Sequence, residues 1–102
     1  MYNIYMKGGT NTAIQLERHL KGVANHRRIE ILWLIAEQER ISLESIANVL
    51  ECNIKTISEH VRRLTHAGLV NKKYRGRVVE HTLSPYGKIF HKFLTTTTFS
   101  HS

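Results

Sequence analysis

The stretch Ser42-Leu43-Glu44-Ser45-Ile46-Ala47-Asn48-Val49-Leu50-Glu51-Cys52-Asn53-Ile54-Lys55-Thr56-Ile57-Ser58-Glu59-His60-Val61-Arg62-Arg63-Leu64-Thr65-His66-Ala67-Gly68 decides the fold. Its Ser42 can cap a short helix that turns Leu43, Ile46, Ala47, Val49 and Leu50 inward, with Glu44 in the first turn, where the helix dipole favours an anion. After Glu51 and Cys52, Asn53 can cap a second helix over Ile54 to Ala67. Apolar residues recur there at 54, 57, 61 and 64, one narrow inward stripe. Gly68 stands where a left-handed residue ends a helix.

Beyond Gly68 the period changes. Leu69 to Arg75 and Arg77 to Ser84 are rich in Val, Leu, Tyr and Thr and read as two strands of a hairpin joined around Gly76, with a basic tip. Upstream, Thr12 can cap a helix bearing Ala13, Leu16 and Leu20, which Gly22 ends. Asn25 caps a segment that is apolar on most sides, with Ile29, Ile31, Leu32, Trp33, Leu34, Ile35 and Ala36, as a central core helix requires. Downstream, Ser84-Pro85 starts a last amphipathic helix with Tyr86, Ile89, Phe90, Phe93 and Leu94. The expected fold is mainly α with a small β-hairpin: a winged helix-turn-helix of five helices plus wing. Residues 1–9, closed by Gly8-Gly9, read as a flexible leader, 10–94 as the domain, and 95–102 as a frayed tail, because the Thr95 to Thr98 run is β-branched. An ordinary helical hairpin accounts for neither the Arg75-Gly76-Arg77 tip nor the distribution of charge.

That distribution is uneven. Residues 1–52 hold six Lys/Arg and six Glu, whereas 53–92 hold nine and two, so the whole net charge of +7 lies in the second half. Such a surface seeks a polyanion. The 102 residues, 41% apolar, suffice for one modest core and exclude a multidomain enzyme. A single Cys forms no internal disulfide, no apolar run reaches the roughly 18 residues of a membrane span, and the N-terminus lacks the features of a signal peptide. A mature, cytoplasmic chain without membrane contact is expected.

With 100° per residue and the apolar stripe inward, the outer face of the second helix carries Lys55, Thr56, Glu59, Arg62, Arg63 and His66, flanked by Ser58 and His60. A recognition helix enters the major groove of double-stranded DNA by its N-terminal end, which places Lys55, Thr56, Ser58 and Glu59 nearest the base edges and leaves Arg62 and Arg63 for phosphates. Lys55 suits guanine, Thr56 a base edge or thymine methyl, and Glu59 either accepts from cytosine N4 or limits nonspecific binding. In the wing, Lys72, Lys73, Arg75 and Arg77 suit phosphates or the minor groove, while Tyr74 is expected to pack under the hairpin.

From Asn25 to about Leu94 the chain resembles winged-helix transcriptional regulators of the ArsR/SmtB type, with MarR-like regulators sharing part of the pattern. The resemblance is carried by Asn25-His26-Arg27-Arg28-Ile29-Glu30-Ile31-Leu32, Thr56-Ile57-Ser58-Glu59-His60-Val61-Arg62-Arg63-Leu64, Ala67-Gly68-Leu69-Val70 and Leu83-Ser84-Pro85-Tyr86-Gly87. It implies a homodimer whose terminal helices pack together and whose paired recognition helices bind a pseudo-palindromic operator, usually as a repressor. Leu16, Leu20, Ile89, Phe90, Phe93 and Leu94 then form the dimer interface, and exposing the last four together would otherwise leave a large apolar patch. Two departures stand out. Glu51 occupies the turn where the family usually has Gly, which points to a longer turn. The Cys-x-Cys thiol site of metal-sensing members is replaced by Ser45, Ala47 and Asn48, and the absence of Asp removes the usual partner of a histidine site on the last helix.

No cofactor and no intrachain metal site is expected, since the seven His contain no i, i+4 pair; an intersubunit site using His91 and redox control at Cys52 stay open. No enzyme is expected either, because a Ser/His/Asp triad cannot form without Asp and Gly8-Gly9-Thr10 lacks the spacing and Lys of a phosphate loop. The effector is unknown. The competing reading is a winged-helix protein-interaction module that does not read DNA, but the four wing cations favour nucleic acid.

Overall fold

The computed structural model describes residues 9–99, which form α1 (Gly9–Val23), α2 (His26–Glu37), β1 (Ile41–Ser42), α3 (Leu43–Leu50), α4 (Ile54–His66), β2 (Val70–Arg75), β3 (Val78–Leu83) and α5 (Pro85–Phe99). The expected leader up to residue 8 and the tail from residue 100 lie outside the described residues.

Local side-chain chemistry starts most of the helices. Asn25 Oδ1 accepts from the backbone N–H groups of Arg27 and Arg28 at 2.9 and 3.2 Å. Ser42 Oγ accepts from Ser45 at 3.1 Å, and Asn53 Oδ1 from Lys55 at 2.7 Å. Ser84 is buried; its hydroxyl accepts from Gly87 N–H at 2.9 Å and donates to the Gly68 carbonyl at 2.6 Å, which ties the start of α5 to the end of α4. At that end Gly68 is left-handed (φ 81°), with Gly68 N–H on Thr65 O and Leu69 N–H on Leu64 O, a Schellman closure. Leu69 is thereby a helix terminus, and β2 begins one residue later than expected.

Five other boundaries and burials differ from expectation. Thr12 lies inside α1, and Gly22 does not end it: a Cβ at Gly22 would fall on the Ala67 methyl, so this glycine lets α1 press against the end of α4. Val49 is exposed rather than inward, because α3 is covered on one side only. Ile54, expected in the buried stripe, is 41% exposed in the first turn of α4. Finally, α5 continues through the threonine run to Phe99, where each Thr costs a helix only a few tenths of a kcal/mol.

Ile31, Leu32 and Ile35 of α2, Ile46 of α3, Ile57, Val61 and Leu64 of α4, and Leu69 and Val70 make the core. The hairpin gains a third strand that the sequence did not announce. The sheet order is β1-β3-β2, antiparallel throughout, with Ile41 opposite His81 and Val70 opposite Leu83. Buried His81 secures this join, its Nδ1–H donating to Ile41 O at 2.9 Å.

Candidate nucleic-acid interface

The turn that sets α4 against α3 is short. Glu51 itself takes the left-handed conformation (φ 51°, ψ 48°), while Glu51 N–H donates to Asn48 O at 3.2 Å and Cys52 N–H to Ala47 O at 3.0 Å. The missing glycine has therefore been absorbed as backbone strain rather than as added length. Cys52 is half-buried against the core.

Ile57, Val61 and Leu64 anchor α4, so Lys55, Thr56, Ser58, Glu59, Arg62 and Arg63 are exposed as expected. Glu59 is not a free acceptor. Its carboxylate takes Arg62 Nε at 3.0 Å and Nη2 at 2.6 Å, and Arg63 Nε at 3.2 Å. The Arg62 hydrogen bonds, with Arg63 beside them, lower its pKa to about 2. The latch is consequently ionised at every physiological pH. His60 departs from the expected reading face: it is half-buried, with Nδ1 enclosed and without a hydrogen-bond partner among the described residues. Burial first, and Arg28 second, push its pKa down, which favours the neutral form of this half-buried side chain of α4.

The wing turns through Gly76 (φ 64°) and Arg77, with positive φ only at the first turn position, the II′ pattern. Strand alternation divides its cations. Lys72 and Tyr74 share one face of β2 and, with Arg77, Ser58 of α4 and Leu43 and Glu44 of α3, border a cleft of about 300 Å³ between the helix pair and the hairpin. Lys73 and Arg75 fall on the other face, where Arg75 pairs with Glu80 at 3.2 Å. Tyr74 does not pack under the hairpin; it is 74% exposed. Its two-residue spacing from Lys72 was the signal that could have placed it in the cleft.

A separate apolar trough of about 290 Å³ runs between α1 and α5, bordered by Leu16, Leu20, Ile89, Phe90 and Phe93. Leu16, Leu20, Ile89 and Phe93 are about half exposed or more. Phe90 and Leu94 turn inward instead, Phe90 to 9% exposure against His19 and Leu94 partly buried against the core. They form the floor and inner support of the trough rather than its rim.

Residues 23–90 match the family model described as HVO_A0114. The transcriptional activator HlyU of Vibrio cholerae serotype O1 is 31% identical over 87 residues, 78% of this chain and 80% of that protein. The homodimeric winged helix-turn-helix DNA-binding domain of Mb0332 from Mycobacterium bovis, described as a possible ArsR-family regulator, is 27% identical, with a TM-score of 0.81 over 90% of this chain and 85% of its own. The chain belongs to the winged-helix transcriptional regulators of the ArsR type. This ArsR-type regulator also matches the structure of reduced HlyU from Vibrio cholerae, with a TM-score of 0.77 and 27% identity over 88% of the chain and 94% of HlyU. A transcriptional repressor, CsqR of Escherichia coli, is 31% identical over 52 residues, 51% of this chain and 20% of CsqR. The relatives of this ArsR-type chain are thus regulators of transcription rather than enzymes.

Proposed function

We propose that this ArsR-type regulator is a cytoplasmic, homodimeric, sequence-specific DNA-binding protein that acts as a repressor. The observation that carries this reading is the cleft where Ser58 of α4 faces Lys72, Tyr74 and Arg77 of the wing. In this reading α4 enters the major groove and offers Lys55, Thr56 and Ser58 to base edges, while Arg77 and Lys72 take the flanking phosphates or minor groove. Lys73 and Arg75, on the other wing face, contribute field more than contact. Glu59 holds Arg62 and Arg63 in place and offsets part of their charge, which restrains binding to arbitrary duplex.

Leu16, Leu20, Ile89 and Phe93 meet the same residues of a second copy across the α1–α5 trough. A twofold dimer binds two half-sites about 10 bp apart centre to centre, or a multiple of that, and so prefers a pseudo-palindrome. Repression follows from occupancy of a promoter and needs no further contact. Selection of genomic fragments on the purified protein, followed by salt titration and transcription in vitro, tests the whole reading. It expects an inverted repeat among the selected fragments and reduced transcription from them. Fragments with no shared element, retained no better than random duplex, would refute it.

A further inference from the structure

A second basic notch, of about 260 Å³, lies between α1 and the C-terminal half of α4. Arg18 and Lys21 line it from α1, and Arg62, Arg63 and His66 from α4, over a floor made by the close approach of Gly22 and Ala67. Few acids offset these cations. Glu17 pairs with exposed Lys21 at 3.1 Å, and the single carboxylate of Glu59 serves both Arg62 and Arg63. Arg18 has no acidic partner among the described residues. Beside the notch, Arg28 donates to the Lys21 carbonyl at 3.5 Å, and its Nε is enclosed without an acceptor among the described residues. Like charges gathered at one notch repel each other, and an arriving anion relieves them all.

The geometry points to a phosphate-binding site formed by Arg18, Lys21, Arg62 and Arg63, which in the complex holds a backbone phosphate of the DNA at the far end of the recognition helix. This rests on the DNA-binding reading above. From Lys55 to His66 α4 is about 16 Å long, whereas the major groove is about 12 Å wide. With its first turn at the bases, its last turn therefore stands at the phosphate wall, and α1 lies beside it. The wing supplies the other clamp. Around α1, Arg18 and Lys21 sit about 150° from Leu16 and Leu20, so a dimer closed through the apolar trough leaves the notch open. The same chemistry also suits a free phosphate ligand.

The test uses the full chain with Arg18→Ala, Lys21→Ala and, as a control cation on α5, Lys92→Ala. All three side chains are exposed, so the fold is left intact. Binding to a selected operator and to random duplex is titrated against salt, and inorganic phosphate is titrated into the free proteins by NMR. The expected result is a fall of about one in log–log salt slope for Arg18→Ala and for Lys21→Ala, with about eightfold weaker binding at 0.1 M salt to both duplexes alike. Arg18→Lys should restore the slope and Lys92→Ala leave it unchanged. Unchanged slopes with phosphate shifts around Ala67 that vanish in Arg18→Ala would assign the notch to a free phosphate ligand. Unchanged slopes without such shifts would overturn the site altogether. Should the native chain bind no duplex, the DNA-binding reading itself falls, and the phosphate titration alone decides the notch.

Discussion

Glu51 holds a left-handed backbone, which disfavours a residue with a Cβ by roughly 1–2 kcal/mol, and its carboxylate lies at the negative end of the α3 dipole. Glu51→Gly is expected to raise stability by about 0.5–1 kcal/mol once the greater freedom of unfolded glycine is subtracted. Urea unfolding checks this, and an unchanged midpoint would show that the Glu51 side chain offsets its own strain. His81 makes a second prediction of this scale. Burial, the foremost cause, lowers its pKa below the ordinary histidine value, although its bond to Ile41 O works the other way. The unfolded chain then takes up a proton first. Stability is complete above about pH 6.5 and falls as the pH drops from there toward the lowered folded value, with half-buried His60 adding to the same trend. Thermal unfolding between pH 7.5 and 5 should show this loss, and His81→Gln should flatten it; an equally steep profile in the variant would remove His81 as its source.

If α4 reads and the wing holds, as proposed above, variants of the two elements should fail differently. Lys55→Ala is expected to relax preference at one base position per half-site, by roughly 1–3 kcal/mol. Arg77→Ala should weaken all duplexes alike and reduce the salt slope by about one, whereas Arg75→Ala, already paired with Glu80, should change it less. Glu59→Gln frees Arg62 and Arg63 and should tighten random duplex more than operator, which a competition titration reads directly; a loss confined to the operator would instead make Glu59 a base reader. The capped boundaries were legible because Asn25, Ser42, Asn53 and Ser84 act on N–H groups two or three residues away. β1 was not legible: two residues carry no period, and its partner His81 is forty residues distant in sequence. The outer face of α4 followed from its single narrow stripe, but His60 sits at the edge of that face, where helical angle alone does not show that it is half-buried.

At the scale of the whole molecule, α5 shows why an amphipathic helix can be recognised in the sequence before its exposed and inner apolar residues are told apart. Ile89 and Phe93 form one column and Phe90 and Leu94 another, each with the four-residue spacing of a helix face, and the columns are only one residue apart. Sequence gives both columns equal claim to a partner, and only the position of α1 and its His19 settles that Phe90 belongs inside. Two fifteen-residue helices, each about 22 Å long, offer an area suited to the roughly 800 Å² per partner of a stable interface. Ile89→Asp combined with Phe93→Asp should therefore produce a folded monomer at micromolar concentration in sedimentation, because both side chains are already exposed within one chain. Phe90→Asp should unfold the protein instead, by several kcal/mol, since it places a carboxylate against the core. The monomeric variant retains its α4 and wing, so its affinity for a single half-site should match that of the native chain. Its affinity for the full operator should fall at least about 100-fold, because the second half-site is no longer delivered at high effective concentration. A variant that still sediments as a dimer would place the interface elsewhere, and a monomer that keeps full operator affinity would show that one copy reads the site alone.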